Sequence, residues 1–140
     1  MTGCKRAITA LLVGKQNSCL PKLKECLDGL GMRTSCVERP SEVSAHVVQF
    51  EPPEVIFTAV EPADGTWSEV VDLARGLGDP PVIVASRVVD VKLYLDTLDG
   101  GAFDFVAAPF NPRDLSYVVN SALSRSHSPV DAELLAGVVA

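Results

Sequence analysis

Short, nearly uninterrupted apolar runs alternate along this chain with segments whose apolar residues fall at helical spacing. Residues 7–14 read AITALLVG, residues 54–60 read EVIFTAV and residues 82–86 read VIVAS. Runs of this kind are typical of strands covered on both faces, since an alternating pattern would mark a half-exposed strand. Strands that alternate with helices favour right-handed βαβ units, and therefore a parallel sheet with helices on both faces.

Five strands and five helices follow from this pattern. The predicted strands are residues 7–14, 32–37, 54–60, 82–86 and 103–107. Leu20, Leu23, Leu27 and Leu30 fall at helical spacing and mark the first helix, and Val91, Tyr94, Leu95 and Leu98 mark the fourth. The predicted inner faces of the other helices are Val43, Val47 and Phe50 on the second, Val70, Val71, Ala74 and Leu77 on the third, and Leu115, Val118, Val119 and Leu123 on the fifth.

Helix ends carry recognisable signals. Thr66 and Glu69 form a T-x-x-E capping box before the third helix, and Gly78 is predicted to end it. Asn111 is predicted to cap the last helix, with Pro112 as its first residue. The length of 140 residues fits one domain, predicted over residues 1–125, followed by a tail or linker over residues 126–140.

Composition excludes several classes of function. The net charge of −6 argues against direct nucleic-acid binding and against anionic membranes, because both need a positive field. No apolar run reaches the length of about 18 residues that a membrane span needs. The four cysteines form no C-x-x-C pair, which favours reduced thiols and a cytoplasmic location.

Ligands of open α/β sheets bind beyond the carboxyl ends of the strands. The residues that follow the predicted strands are Gly14, Lys15 and Gln16, then Thr58 and Ala59, then Ser86 and Arg87, then Ala108 and Pro109. This set contains no carboxylate and no phosphate-binding glycine loop, so the sequence predicts neither a metal nor a cofactor and no enzymatic activity.

The order of these segments resembles the receiver domain of bacterial response regulators. LGM at residues 30–32, PPEVIF at residues 52–57 and GGAFDFVAAPFNPRDL at residues 100–115 stand where receivers carry similar motifs. The resemblance implies a doubly wound (βα)5 fold, the three-layer flavodoxin-like or CheY-like arrangement, with strand order 2-1-3-4-5. It also implies a cis peptide bond before Pro109.

The residues that receivers use for chemistry are replaced. Gly14 and Lys15 stand where the family has its Mg²⁺-binding acids, Thr58 or Ala59 where it has the phosphoacceptor aspartate, and Ala108 where it has lysine. Ser86 and Phe105 keep the hydroxyl and aromatic positions of the family's switch. The favoured interpretation is structural: Ser86 bonds to local backbone and Phe105 is a core residue.

The resemblance therefore implies a degenerate receiver, a module of two-component signal transduction, or phosphorelay, that acts through protein contacts. One alternative is a flavodoxin-like cofactor-binding protein or enzyme, and another is a receiver phosphorylated on Thr58. Expected partners are a second copy or a sensor or output protein, without membrane or nucleic acid. The candidate interface is Lys92, Tyr94, Asp96, Asp99, Asp104, Arg113 and Tyr117, with apolar support from Val89 or from Leu134 and Leu135. Weaker candidates are Glu61 and Asp64 as a displaced acidic pair, and His46 or His127 as phosphohistidines.

Overall fold

The computed structural model describes residues 7–50 and 52–127. Five strands alternate with five helices. Their bounds are β1 Thr9–Val13, α1 Leu20–Gly29, β2 Arg33–Val37, α2 Ser41–Gln49, β3 Val55–Ala59, α3 Trp67–Arg75, β4 Val82–Ser86, α4 Val91–Asp99, β5 Asp104–Ala107 and α5 Pro112–His127.

All strand pairs are parallel, and the sheet order is β2-β1-β3-β4-β5. The predicted order 2-1-3-4-5 is confirmed. The central strand, β3, is buried at every position, and so is β4. The uninterrupted apolar runs in the sequence are explained by this arrangement, because both faces of these strands are covered by helices.

A hydrophobic cluster lies on each face of the sheet. The first cluster joins Leu12, Phe57 and Ile83 to the inner residues of α1 and α5, such as Leu23 and Leu115. The second joins strand residues to α2 and α3, and its members include Leu11, Val13, Val43, Ile56, Val70, Val82 and Val84. Successive residues of each strand alternate between the two clusters, so the cluster that a residue joins shows which face it lies on.

Several predicted helix details are wrong. Phe50 is 56% exposed, because the backbone is extended there (φ −126°, ψ 176°) and its side chain leaves the inner face of α2. Thr66 is the N-cap of α3, but its side chain makes no capping hydrogen bond, so the capping box is not formed. Helix α3 ends at Arg75 with Gly76 as C-cap, and Gly78, at φ +92°, turns the chain two residues later.

Helix α4 leaves most of the apolar residues that mark it in the sequence at the surface. Val91 and Leu95 are 67% and 53% exposed, and Tyr94 is 39% exposed. The fully buried residue is Thr97, whose hydroxyl donates to the carbonyl of Tyr94 at 2.8 Å. Because its hydroxyl is hydrogen-bonded within the helix, Thr97 can be buried against the sheet without leaving a polar group unpaired. The result is an apolar outer surface on α4.

Helix α5 begins as predicted and continues past the predicted linker start. The Oδ1 atom of Asn111 accepts hydrogen bonds from the backbone N–H groups of Arg113 (2.8 Å) and Asp114 (3.3 Å). The helix runs to His127, two residues into the predicted tail. Residues 128–140, with Leu134 and Leu135, lie outside the described part of the chain. No helix among the described residues is long and apolar enough to cross a membrane.

The two N-caps provide a matched test. We expect Asn111→Ala to lower the free energy of unfolding by about 1 kcal/mol, because two backbone N–H groups lose their acceptor. Thr66→Ala removes a side chain of similar size that makes no capping bond, so its effect should be below about 0.5 kcal/mol. Urea unfolding of both variants measures the difference. Equal losses would show that the Asn111 bonds contribute nothing.

Candidate functional site

The carboxyl ends of β1, β3, β4 and β5 meet at one edge of the sheet. Val13 pairs with Thr58, Thr58 with Val84, and Ser86 with Ala107. The residues that follow these strands in the sequence therefore converge at this edge, as predicted for an open α/β sheet.

Gly14 is enclosed by apolar side chains. A Cβ atom built on Gly14 would lie 2.5 Å from Cδ1 of Leu20 and 2.9 Å from Cβ of Ala59. Both distances are shorter than real carbon contacts. The Gly14 N–H donates to the carbonyl of Val37 at 2.9 Å, which fixes the backbone there. The Cβ atom of any side chain at this position would therefore overlap hydrocarbon.

Thr58 and Ala59 lie on opposite faces of β3. Ala59 belongs to the cluster on the α1 and α5 face, whereas Thr58 pairs with Val13 and Val84 of the other cluster. Thr58 is fully buried, and its hydroxyl donates to the carbonyl of Ala59 at 2.9 Å. The hydroxyl is thus shielded from solvent and already hydrogen-bonded.

Two exposed cations, Lys15 and Arg87, lie at this edge. The guanidinium of Arg87 donates to the carbonyl of Asn17, which ties the loop after β4 to the loop after β1. Burial raises the pKa of the Cys19 thiol, and the nearby charge of Arg87 partly opposes that shift. Positive charge at this edge would repel Mg²⁺ rather than bind it.

The hydroxyl of Ser18 completes the β1–α1 loop. It donates to the carbonyl of Lys15 at 2.6 Å and accepts from the N–H of Leu20 at 3.2 Å. The side chain therefore serves the start of α1. Both of its hydrogen-bonding roles are already filled by the loop itself.

Ser86 and Phe105 lie on the same face of the sheet as Thr58. Ser86 is buried, and its Oγ atom accepts a hydrogen bond from the N–H of Val88 at 3.2 Å. The ring of Phe105 packs edge-on against Tyr94, with centroids 5.9 Å apart and an interplanar angle of 69°. Ser86 is thus engaged with its own loop, and Phe105 joins β5 to α4.

The peptide bond between Ala108 and Pro109 is cis. The methyl side chain of Ala108 lines a cavity of about 840 Å³ between α1 and the β5–α5 turn, whose walls include Lys22, Cys26 and Phe110. Arg87 lies at the same cavity.

The weaker candidates Asp64 and His46 each contact another side chain. Asp64 bonds to Arg39, with 2.6 Å between Oδ2 and Nε, so it is not half of a free acidic pair with the exposed Glu61. His46 stacks on Phe50 with centroids 4.7 Å apart. Among the residues that the structure describes, no group of three or more His, Cys, Asp and Glu side chains could hold a metal ion.

Comparison with known proteins identifies the fold but not a close relative. No family model and no curated protein sequence matches the chain. A CheY-like response regulator receiver domain protein from Methanospirillum hungatei superposes with a TM-score of 0.70 at 20% identity, over 89% of this chain and 99% of that one. The fold is that of a response regulator receiver domain.

Two further response regulator structures superpose on this chain with similar TM-scores. A response regulator receiver domain protein from Clostridium thermocellum has a TM-score of 0.72 at 17% identity and covers 86% of this chain and 97% of that one. A two-component response regulator from Clostridium difficile has a TM-score of 0.71 at 20% identity and covers 86% and 99%. In each case the receiver fold spans nearly the whole of the solved chain.

The residues predicted as an interface lie on α4, β5 and α5 of this receiver fold. Lys92 and Asp96 form an i,i+4 ion pair with 3.4 Å between Nζ and Oδ2. Asp104 accepts from the N–H of Phe105 at 2.7 Å, while Tyr117 is 74% exposed. Asp99 and Arg113 are also exposed.

Of the exposed apolar side chains around these charges, sequence reasoning named Val89 and missed Val88, Val91 and Leu95. Val88 and Val89, which precede α4, are 62% and 78% exposed, and Val91 and Leu95 continue the patch on the helix. A signal for it existed in the VVDV run at residues 88–91, because three valines at and just before the start of a helix form an apolar patch that a partner could cover.

Proposed function

We propose that this chain is a pseudo-receiver, a signalling module of the two-component type that does not take part in aspartyl phosphotransfer. The observation that carries the proposal is the enclosure of Gly14 by Leu20 and Ala59. A receiver that had merely lost its charged side chains would leave a cavity there. Here the position of the first side-chain carbon of residue 14 is already taken by Leu20 and Ala59, which supports a function that does not depend on a metal-binding acid at this position.

The other two readings receive less support. Thr58 is buried and hydrogen-bonded, so phosphorylation on its hydroxyl would require the central strand to open. A flavin phosphate would need free donors in the β1–α1 loop, where the Ser18 hydroxyl is already bonded at both ends. We also infer a cytoplasmic location, because the cysteine spacing suits a reducing compartment.

The proposal predicts that phosphodonors do not modify this chain. Incubation with acetyl phosphate, or with beryllofluoride and Mg²⁺, should leave the intact mass and the amide spectrum unchanged at Thr58, Ala59 and Ser86. A receiver with the usual acidic residues serves as the positive control in the same buffer. A phosphoryl adduct on this chain, or saturable Mg²⁺ binding next to Gly14, would contradict the proposal.

Without a phosphate input, the module must act through binding, and the surface we assign to this is the face of α4, β5 and α5. Charges of both signs lie on it, which suits a two-fold contact in which each residue meets its opposite on a second copy. The exposed patch of Val88, Val89, Val91 and Leu95 supplies the apolar area that surface ion pairs alone do not.

The expected occupant of this face is a second copy of the chain. Light scattering should give the mass of a dimer at high micromolar concentration. Asp96→Lys and Arg113→Glu singly should each weaken the dimer by about tenfold or more, and the two together should restore part of it if the residues face each other across the two-fold axis.

Glu69→Lys on α3 is a matched control, since it reverses an exposed charge away from this face. A wild-type chain that stays monomeric would instead assign the face to a different protein. Single reversals without effect on a genuine dimer would place the contact elsewhere.

A further inference from the structure

The cavity between α1 and the β5–α5 turn differs in charge from two other cavities of this molecule. Its volume is about 840 Å³, and we call it the α1 cavity. Its charged lining residues are Lys22, Arg87 and Glu25, two cations against one acid. In the other two cavities, of about 930 and 390 Å³, the charged side chains among the described lining residues are all acidic. On a chain with a net charge of −6, an excess of positive charge therefore distinguishes the α1 cavity.

The two cations of the α1 cavity are available to bind an anion. Within the described part of the chain, neither Lys22 nor Arg87 forms an ion pair; the pairs there are Lys24–Asp28, Arg39–Asp64, Arg75–Asp72 and Lys92–Asp96. The guanidinium of Arg87 donates to the carbonyl of Asn17, which positions it at the edge of the sheet. An arginine carries five N–H donors, so the others can serve a ligand.

The remaining walls of the α1 cavity are mostly apolar. They include Cys26, Leu30, Ala108, Pro109, Phe110 and Pro112. Small-molecule sites of proteins have volumes of about 300–1,000 Å³, apolar walls and a few polar groups that fix orientation. The α1 cavity has this composition, and the charge of its polar groups favours a ligand with an anionic head and an apolar body.

We propose that the α1 cavity binds a small amphipathic anion, an aromatic or aliphatic body with one carboxylate or phosphate group that contacts Arg87 and Lys22. The role of such a ligand rests on the proposed function, because a module without a phosphate input needs another input. Arg87 follows β4 and is tied to the loop after β1, while Ala108 and Pro109 follow β5. A bound anion would therefore contact the loops after β4 and β5 together.

Titrations of the full chain with three probes, followed by amide resonances, separate the anionic head from the apolar body. Phenylbutyrate has both, phenylbutyramide keeps the body without the charge, and acetate keeps the charge without the body. We expect saturable binding of phenylbutyrate with a Kd of about 1 mM or lower. The amide and acetate should bind at least about tenfold more weakly.

Phenyl phosphate in the same titration shows which head group the cavity prefers. Tighter binding than phenylbutyrate would assign a phosphate, and weaker binding would assign a carboxylate. Equal affinity for phenylbutyrate and its amide would overturn the proposal, because charge would then contribute nothing. Absence of saturable binding for both phenylbutyrate and phenyl phosphate would overturn it as well.

Matched variants locate the binding. Gly29 lines the cavity, and a Cβ atom built on it meets nothing within 4 Å, so Gly29→Leu should fill the space without a clash. Gly76→Leu is its control, at an exposed glycine that ends α3. Arg87→Gln removes one charge from the cavity, and Lys24→Gln removes one from α1 outside the described lining. The affinity for phenylbutyrate should fall at least about tenfold in Gly29→Leu and Arg87→Gln and stay within about twofold in the controls.

The thiol of Cys26 reports occupancy directly. Cys26 lines the cavity, whereas Cys36 is exposed on β2 and serves as the internal control. Phenylbutyrate at about ten times its Kd should slow maleimide alkylation of Cys26 about tenfold and leave Cys36 unchanged, as measured by peptide mass mapping. Equal rates with and without the probe at Cys26 would place the ligand elsewhere and overturn the proposal. These measurements use no phosphodonor, so their failure is distinct from failure of the pseudo-receiver proposal.

Discussion

Replacing Gly14 with aspartate, the residue type that a receiver uses to bind Mg²⁺, is expected to lower the free energy of unfolding by about 3–5 kcal/mol instead of restoring a metal site. The first Cβ atom alone would overlap Leu20 and Ala59, at 2.5 and 2.9 Å. The carboxylate would also be placed at a position that is buried in the wild type. Urea unfolding measures the loss, and calorimetric titration with Mg²⁺ should show no saturable binding.

Three further variants separate the steric part from the charge. Gly14→Ala adds only the Cβ atom and should cost about 1–3 kcal/mol. Lys15→Asp adds the same carboxylate at an exposed position and should change stability by less than about 0.5 kcal/mol. Leu20→Ala should be less destabilising in the Gly14→Ala background than in the wild type, because it removes the overlapping atoms. A stable Gly14→Asp protein that binds Mg²⁺ would show that the site is open and that the pseudo-receiver proposal is wrong.

The fold could be predicted from the sequence because its signals are local and repeated. Each buried strand is a short apolar run, and the intervening helices carry their own spacing and breaking residues, such as Gly31 at φ +85° after α1. The absence of acidic residues at positions 14, 15, 58 and 59 could be read in the same way, because it depends only on residue type.

The orientation of α4 could not be predicted, because two stripes on this helix compete. Val91 and Leu95 make the more apolar stripe, yet the stripe with Leu93 and Thr97 is the one that packs inward. Periodicity ranks residues by hydrophobicity and does not count a hydroxyl that bonds its own helix, as Thr97 does. An exposed apolar stripe is instead what a binding surface would require.

The enclosure of Gly14 was likewise invisible in the sequence. Leu20 belongs to the apolar stripe that marks α1 in the sequence, and it is buried in the structure. Its contact with position 14 depends on the position and angle at which α1 packs on the sheet. The cap at Thr66 shows the same limit, since the T-x-x-E pattern is present and the side-chain bond is not. Local patterns identify which residues can interact, whereas tertiary packing decides which of them do.

Thr58→Asp is expected to produce the second large effect. Thr58 is fully buried in the central strand, and its neighbours across the strand pairs are Val13 and Val84. An ionised carboxylate there would be shielded from solvent, so we expect Thr58→Asp to be about 3 kcal/mol less stable at pH 7 than the neutral variant Thr58→Asn, which has nearly the same shape. Acetyl phosphate should still produce no adduct.

The pH dependence of this difference identifies its cause. Burial raises the pKa of the new carboxyl in the folded state above its unfolded value of about 3.9, so at pH values below the unfolded pKa the group is neutral in both states and the penalty is absent. As the pH rises from there toward the raised folded pKa, the unfolded chain loses its proton first, and Thr58→Asp loses stability relative to Thr58→Asn until the folded pKa is passed. Urea midpoints of the two variants between pH 4 and 8 should therefore diverge steadily and then run parallel. A gap that is constant over this range would mean that shape rather than charge is responsible, and that position 58 lies in a more polar setting than the packing around Val13 and Val84 indicates.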